Sequence, residues 1–271
     1  MTRAAGFYCG LLRSHLRTVT ATATAARMAN LRDAASMIAA FAPQRLYRSS
    51  QLYTLDHSPR TIIDLRRQAD KVHDKITTTP AGVRLVSLPL VSRGTGLALL
   101  GQLPFSVLLG FFASGGQPEI IAEHFMATPD ATIVMYSAIM EGCAPEFQRL
   151  MLLFADPEAY PVHVHCVAGK DRTGIVVAVL ARLCGGDVDE IARDYAASAA
   201  ELKRARDTGA FGPEMESTLR DSVLASEWEA MTGLLRTMDV RYGGARDYLA
   251  NHCRIAEPVI EAAVANLTRK P

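Results

Sequence analysis

The chain has 271 residues and a formal net charge of +1 at pH 7, from 29 Lys and Arg against 28 Asp and Glu. This length suits one α/β domain with additional helices, and the balanced charge argues against a dedicated nucleic-acid binder. The five cysteines are odd in number and show no paired spacing. They argue against a disulfide scaffold and indicate a reducing, intracellular environment.

Residues 1–27 differ from the rest of the chain. They combine many Thr and Ala with four arginines, and the first acidic residue of the chain is Asp33. On a helical projection the apolar side chains fall opposite most of the arginines, a pattern typical of a mitochondrial presequence. An unstructured tail, or a true start at Met28, is the alternative interpretation. We therefore predict one domain over residues 28–271, located in the cytoplasm unless residues 1–27 direct it to mitochondria.

The remaining chain alternates between strand-like and helix-like segments. Two short strands are predicted around residues 45–52, others at 61–65 and 83–90, and a helical stretch at 131–154. A strand at 162–164 precedes a buried helix at 173–184, and Asp187 caps a helix that continues to about residue 202. Further helices are predicted at 214–224, 227–238 and 257–267. This alternation indicates an α/β fold.

Residues 94–118 contain no charged side chain, and residues 97–113 are strongly apolar. A membrane-spanning helix fits this length, but Gly101, Gln102, Pro104 and Ser106 interrupt the apolar run. A pair of buried helices is therefore the interpretation that the composition favours.

The most informative segment reads Val164-His165-Cys166-Val167-Ala168-Gly169-Lys170-Asp171-Arg172-Thr173-Gly174. It places a loop at the N-terminus of the buried helix, where unpaired amide groups and the helix dipole favour an anion such as phosphate. The loop residues Val167, Ala168, Gly169 and Lys170 are predicted to surround this phosphate.

The residue types of this segment indicate covalent chemistry at phosphate. Cys166 is the candidate nucleophile, because the amides and the cation of Arg172 favour its thiolate. Arg172 can also bind two phosphate oxygens in a planar fork. Thr173 is placed to donate its hydroxyl to the sulfur, and His165 to support the loop from behind it. No cofactor and no metal are predicted.

Two other interpretations of the segment fit less well. A nucleotide-binding loop needs Gly at position 164 and Ser or Thr at position 171, where Val164 and Asp171 stand. The cluster of His163, His165 and Cys166 is a metal site only if further ligands join it from elsewhere in the fold.

The string from His165 to Gly174 resembles the catalytic loop of the cysteine-dependent protein tyrosine and dual-specificity phosphatases. More narrowly, the chain is similar to an atypical branch typified by a secreted mycobacterial tyrosine and phosphoinositide phosphatase. Three further blocks match that branch in order: Asn30-Leu31-Arg32-Asp33, Tyr47-Arg48-Ser49-Ser50-Gln51-Leu52 and Ile63-Asp64-Leu65-Arg66. The resemblance implies a tyrosine phosphatase-like fold, with a central mixed sheet flanked by helices. It also implies an apolar helical lid at residues 97–126.

The resemblance also bears on the general acid. The only tryptophan, Trp228, is followed by Glu229 and Ala230, so the sequence lacks the Trp-Pro-Asp loop of ordinary tyrosine phosphatases. In the atypical branch an Asp inside the catalytic loop is the proposed acid, which implies Asp171 here. Asp64, at the end of its strand, is a second candidate.

The substrate class stays open between phosphoproteins and phosphoinositides. Lys170 adds a cation inside the loop, as in lipid phosphatases. A basic rim is one interpretation of Arg45, Arg48, Arg66 and Arg67, and solvated structural charges next to strands are the other. We predict an enzyme that acts on phosphotyrosine, phosphoserine or phosphothreonine proteins and on phosphoinositides, with peripheral membrane contact. A catalytically inactive module that binds phosphoproteins or phosphoinositides is the alternative. The sequence predicts no oligomeric state.

Overall fold

The computed structural model describes residues 29–51, 58–71, 81–116, 118–209 and 224–270. Within these residues five strands form one mixed sheet: β1 Arg32–Asp33, β2 Leu46–Ser49, β3 Thr61–Asp64, β4 Arg84–Ser87 and β5 Val162–His165. Their order is β1-β2-β5-β3-β4, with β1 antiparallel to β2 and the other neighbours parallel. The predicted α/β fold with a central mixed sheet and flanking helices is confirmed.

The strands match the sequence predictions except near the start of the sheet. β3 and β4 lie inside the predicted intervals 61–65 and 83–90. The prediction of two strands around residues 45–52 is wrong for the described part of that interval, where β2 alone lies. β2 pairs instead with the two-residue β1 upstream, a partner too short to leave a hydrophobic pattern in the sequence.

Helices flank this sheet in the described residues. They are α1 Arg93–Leu100, α2 Phe105–Ala113, α3 Pro118–Met126, α4 Pro129–Gly142, α5 Ala144–Ala155, α6 Asp171–Leu183, α7 Val188–Asp207, α8 Trp228–Tyr242, α9 Ala245–Asp247 and α10 Glu257–Thr268. Short 3-10 helices lie at Ala34–Ser36, Gln68–Lys71 and Pro157–Ala159, and a π-helical turn at Tyr248–His252 follows α9.

The predicted helix at 131–154 is two helices, because Pro145 lies in the first turn of α5 and cannot continue the hydrogen-bond ladder of α4. The predicted cap of α7 is confirmed, since the Asp187 carboxylate accepts from the amides of Asp189 and Glu190. Apart from Leu224, the predicted helix at 214–224 lies outside the described residues, as does the presequence-like segment 1–27.

The apolar stretch at 94–118 forms α1 and α2, but the prediction of burial is wrong for α2. No residue of α2 is buried, and three of its large side chains are mostly exposed, namely Phe105 (79%), Leu109 (59%) and Phe112 (71%). The reason is tertiary: α1 and α3 pack on α4, whereas α2 packs chiefly on α3. In the described part of the chain no helix is long and apolar enough to cross a membrane.

Candidate active site

The loop at 166–170 joins β5 to α6 at the carboxyl edge of the parallel strands. The strand register sets His165 level with Ser49 of β2 and Asp64 of β3, so polar residues from three strands converge below the loop. Cys166 is only 2% exposed and forms no disulfide. A phosphate ester therefore has to project into the protein to reach its sulfur.

The carbonyl groups of the loop point outward, because donors around the loop bind them. The amide of Gln51 donates to the carbonyl of Val167 (2.9 Å), and Asn30 Nδ2 donates to the carbonyls of Ala168 (3.2 Å) and Gly169 (2.9 Å). In a trans peptide the C=O and the following N–H point in opposite directions. The amides of residues 168–170 are thereby directed toward the loop centre, where they can bind an anion.

A buried charge network supports the loop from outside. Arg48 is fully buried, and its Nη2 donates to the Gly169 carbonyl at 2.7 Å, while its Nη1 pairs with Asp194 of α7. The second oxygen of Asp194 accepts from Arg32 Nε at 2.7 Å. Burial, aided by Arg32, lowers the pKa of Arg48 to about 10 although Asp194 and Cys166 raise it, so Arg48 is still a cation at neutral pH.

Gly169 is required at its position for two geometric reasons. Its φ of +66° lies in the left-handed region, and a Cβ there would lie 2.1 Å from the carbonyl oxygen of Ser49. The close approach lets β2 and its arginine lie directly against the loop.

Arg172 lies in the first turn of α6 and is oriented by a residue that the sequence analysis did not single out. Its Nη1 donates to Asp70 Oδ2 (2.5 Å) and to the Leu65 carbonyl (3.3 Å). Burial alone would lower the pKa of Arg172, but Cys166 and Asp70 outweigh it and raise that pKa. Asp70 follows β3 in the 3-10 helix Gln68–Lys71, and its spacing carries no motif by which the sequence could have identified it.

The candidate acid Asp64 is held as a carboxylate by cations. Arg66 Nε donates to its Oδ1 at 2.9 Å, and Lys71 Nζ lies 3.0 Å from its Oδ2. Burial alone would raise the pKa of Asp64, but Arg66 and His165 lower it to about 2. At neutral pH this group has no proton to give.

The other candidate acid, Asp171, has a different environment. Its Oδ1 accepts from the hydroxyl of Tyr136 at 2.5 Å and lies 3.2 Å from Lys170 Nζ. Its Oδ2 forms no hydrogen bond within the described part of the chain. Tyr136 in turn lies 2.8 Å from the hydroxyl of Tyr195.

The remaining loop residues are placed as follows. Lys170 Nζ donates to the Ala225 carbonyl at 2.7 Å, so its side chain is buried beside Asp171. His165 lies below the loop, with Nδ1 3.4 Å from the Cys166 carbonyl oxygen. The predicted hydrogen bond from Thr173 to the sulfur is not formed: its Oγ1 is buried and has no partner within the described residues.

The predicted basic rim is wrong in most of its members. Arg48 and Arg66 are buried under the loop, because they pair with carboxylates of the interior. Arg45 lies over the ring of Tyr160 at the opposite end of β2. Arg67 alone of the four is about half exposed, and it pairs with Asp70.

Of the cluster of His163, His165 and Cys166, His163 contacts a hydroxyl on the neighbouring strand β2. His163 Nε2 lies 2.8 Å from Ser49 Oγ. Within the described residues no group of three or more His, Cys, Asp or Glu side chains is arranged to bind a metal ion.

Comparison with known proteins agrees with this geometry. A family model described as tyrosine phosphatase family matches residues 23–269. The chain belongs to this family. It is 29% identical over 252 residues to the triple specificity protein phosphatase PtpB of Mycobacterium tuberculosis, covering 81% of this chain and 90% of that protein. It is also 31% identical over 129 residues to a tyrosine-protein phosphatase of Nostoc commune, covering 45% of this chain and 44% of the relative. The protein is accordingly a phosphatase.

Proposed function

We propose that this phosphatase hydrolyses phosphate monoesters through a phosphocysteine intermediate formed on Cys166. The observation that supports it most directly is the loop itself, whose amides at 168–170 point inward beside a buried cysteine at the N-terminus of α6. Arg172, fixed by Asp70, supplies the planar cation that this arrangement needs for the transferring phosphoryl group.

The reaction follows in two steps. The Cys166 thiolate attacks phosphorus while Asp171 donates its proton to the leaving oxygen, so an S–P bond forms as the P–O bond breaks. Water then attacks phosphorus, Asp171 takes a proton from it, and the S–P bond breaks to release phosphate and the thiolate. General acid–base catalysis of this kind contributes about 10²–10⁴-fold, and the larger part comes from the amides and Arg172.

Asp171 is preferred over Asp64 as the acid on geometric grounds. Asp64 is bound by Arg66 and Lys71 and has a pKa near 2, whereas Asp171 lies where the loop meets α6 and its Oδ2 has no hydrogen bond within the described residues. Asp64 instead stabilises Arg66 and the base of the loop.

We propose phosphotyrosine, phosphoserine and phosphothreonine proteins and phosphoinositides as substrates. The name of the mycobacterial relative, a triple specificity protein phosphatase, supports a broad substrate range. The lipid part rests on Lys170, whose ammonium is bound to the Ala225 carbonyl and would have to exchange that partner for a second phosphate. Lys170→Met should then lower kcat/KM on phosphoinositides about 10- to 150-fold, and that on phosphotyrosine peptides much less. An equal loss on both substrates would remove the argument for lipids.

The central test is phosphate release from a panel of phosphopeptides and phosphoinositides, with Cys166→Ser as the matched control. We expect turnover by the wild type and no turnover by Cys166→Ser. The variant should still bind phosphorylated ligands, because the loop amides and Arg172 are unchanged. Substantial turnover by Cys166→Ser would contradict the phosphocysteine intermediate. Binding without turnover by the wild type would favour the inactive module, although Cys166, Asp171 and Arg172 are all present.

A further inference from the structure

Two buried tyrosines lie beside the proposed acid. Tyr136 of α4 and Tyr195 of α7 are 0% and 1% exposed, and their rings meet edge to face with centroids 6.2 Å apart. Because an ionised Asp171 can only accept hydrogen bonds, the Tyr136 hydroxyl donates to its Oδ1. The Tyr195 hydroxyl must then donate to Tyr136. The two phenols form a directed chain that ends on the carboxylate.

This use of a buried tyrosine differs from the others in the core. Tyr248 donates to the Met140 carbonyl at 2.7 Å, and Tyr160 donates to the Phe154 carbonyl at 2.7 Å. In both cases the phenol donates its hydrogen bond to a backbone carbonyl. Tyr136 instead directs its only donor to a side chain that titrates.

The charged groups that face Asp171 come from the loop and from α6. Lys170 Nζ lies 3.2 Å from the oxygen that Tyr136 also contacts. Arg172 is close enough for its charge to interact with that of Asp171. Burial and the charge of Asp171 raise the pKa of Tyr136, so this phenol stays a neutral donor at any working pH.

The charged groups that face Tyr195 are on other elements. Burial raises the pKa of Tyr195. The negative charges of Asp171 and Glu227 raise it further, and the positive charge of Arg48 lowers it. Tyr195 therefore also stays protonated, and neither phenol ionises in the working range.

We infer that Tyr136, supported by Tyr195, is a positioning residue that fixes Asp171 and determines which of its oxygens carries the catalytic proton. The inference rests on the proposed function, in which Asp171 is the acid. Oδ1 already faces the donors of Tyr136 and Lys170, so the proton of the acid form resides on Oδ2. When that proton passes to the leaving oxygen, the carboxylate that forms keeps both donors on Oδ1 and is stabilised as its charge develops.

The test substitutes Tyr136→Phe and measures kcat/KM against pH, with an alkyl phosphate and with nitrophenyl phosphate. Because the phenol donates to the carboxylate form, its loss should move the alkaline limb of the profile upward. Looser placement of the acid should lower the rate on the alkyl phosphate about tenfold at the optimum, because its leaving group needs protonation. The rate on nitrophenyl phosphate should change by about twofold or less. Tyr195→Phe should cause a smaller shift in the same direction.

Tyr248→Phe is the matched control, because it removes an equally buried phenolic bond to the same helix α4 without touching Asp171. Tyr248→Phe should lower stability. It should leave the alkaline limb of the pH profile, and the ratio of the rates on the two substrates, as in the wild type. An unmoved limb in Tyr136→Phe, or equal losses on the two substrates, would overturn the inference. Asp171→Asn, measured alongside, tests the proposed function separately. If Asp171→Asn leaves the ratio of the two substrate rates unchanged, Asp171 is not the acid and the proposed function fails. If it changes that ratio while Tyr136→Phe does not, only the positioning role of Tyr136 fails.

Discussion

The charge network behind the catalytic loop yields the sharpest prediction, for the substitution Asp194→Asn. Asp194 is 1% exposed and is the carboxylate shared by Arg48, which is fully buried, and Arg32, which is 12% exposed at its side chain. Removing the negative charge leaves both guanidinium groups in the interior without their counterion. Arg48 would then no longer be fixed where it donates to Gly169.

The size of the effect follows from burial. Removing one partner of a buried ion pair costs about 3–5 kcal/mol, and because Asn retains one acceptor we expect the lower end, about 3 kcal/mol. Against a total stability of about 5–15 kcal/mol this is a large loss. For a chain of this size it corresponds to a fall in Tm of roughly 6–12 °C.

Denaturant and thermal unfolding of the full chain measure this loss, with Asp239→Asn as the control. Asp239 is 43% exposed at its side chain and lies 3.5 Å from Arg182, so its loss should cost less than about 1 kcal/mol. Asp194→Asn should also lower kcat on nitrophenyl phosphate at a temperature where it is fully folded, since the amides at 168–170 lose their fixed orientation. Unfolding at the wild-type midpoint, or full activity of the folded variant, would refute the supporting role of the network.

Three other substitutions test the site. Asp171→Asn should reduce turnover of alkyl phosphates about 10²-fold more than that of nitrophenyl phosphate, and equal losses in steady-state kinetics would assign Asp171 to loop structure instead. Gly169→Ala should abolish activity and lower the unfolding midpoint, because its Cβ would lie 2.1 Å from Ser49; a folded, active variant would contradict the loop geometry. Asp64 has a folded pKa of about 2 against an ordinary 3.8, so it contributes about 2 kcal/mol that is present above about pH 4 and lost as pH falls toward 2. In Asp64→Asn the acid unfolding curve should be flatter across that window.

The sequence alone predicted the position of the loop between a strand and a buried helix. A strand, a short loop and a buried helix are local features, and the N-terminus of a helix favours an anion wherever the helix lies in the fold. Cys166, Gly169 and Arg172 could therefore be assigned roles from their spacing. The parallel core strands β3 and β5 could also be predicted, because β3 carries adjacent isoleucines and β5 alternates valine with histidine directly before the loop.

The tertiary structure decided which groups act on that loop. In the sequence Asp64 and Asp171 are both carboxylates that follow a predicted strand. Only the fold shows that Arg66 and Lys71 pair with Asp64, whereas the hydroxyl of Tyr136 donates to Asp171. From the sequence, Arg48 is expected to be a surface charge. In the fold it is buried and pairs with Asp194, which lies 146 residues away in the chain. Ionisation and burial depend on contacts between residues far apart in the chain, and no local pattern records which of these contacts form.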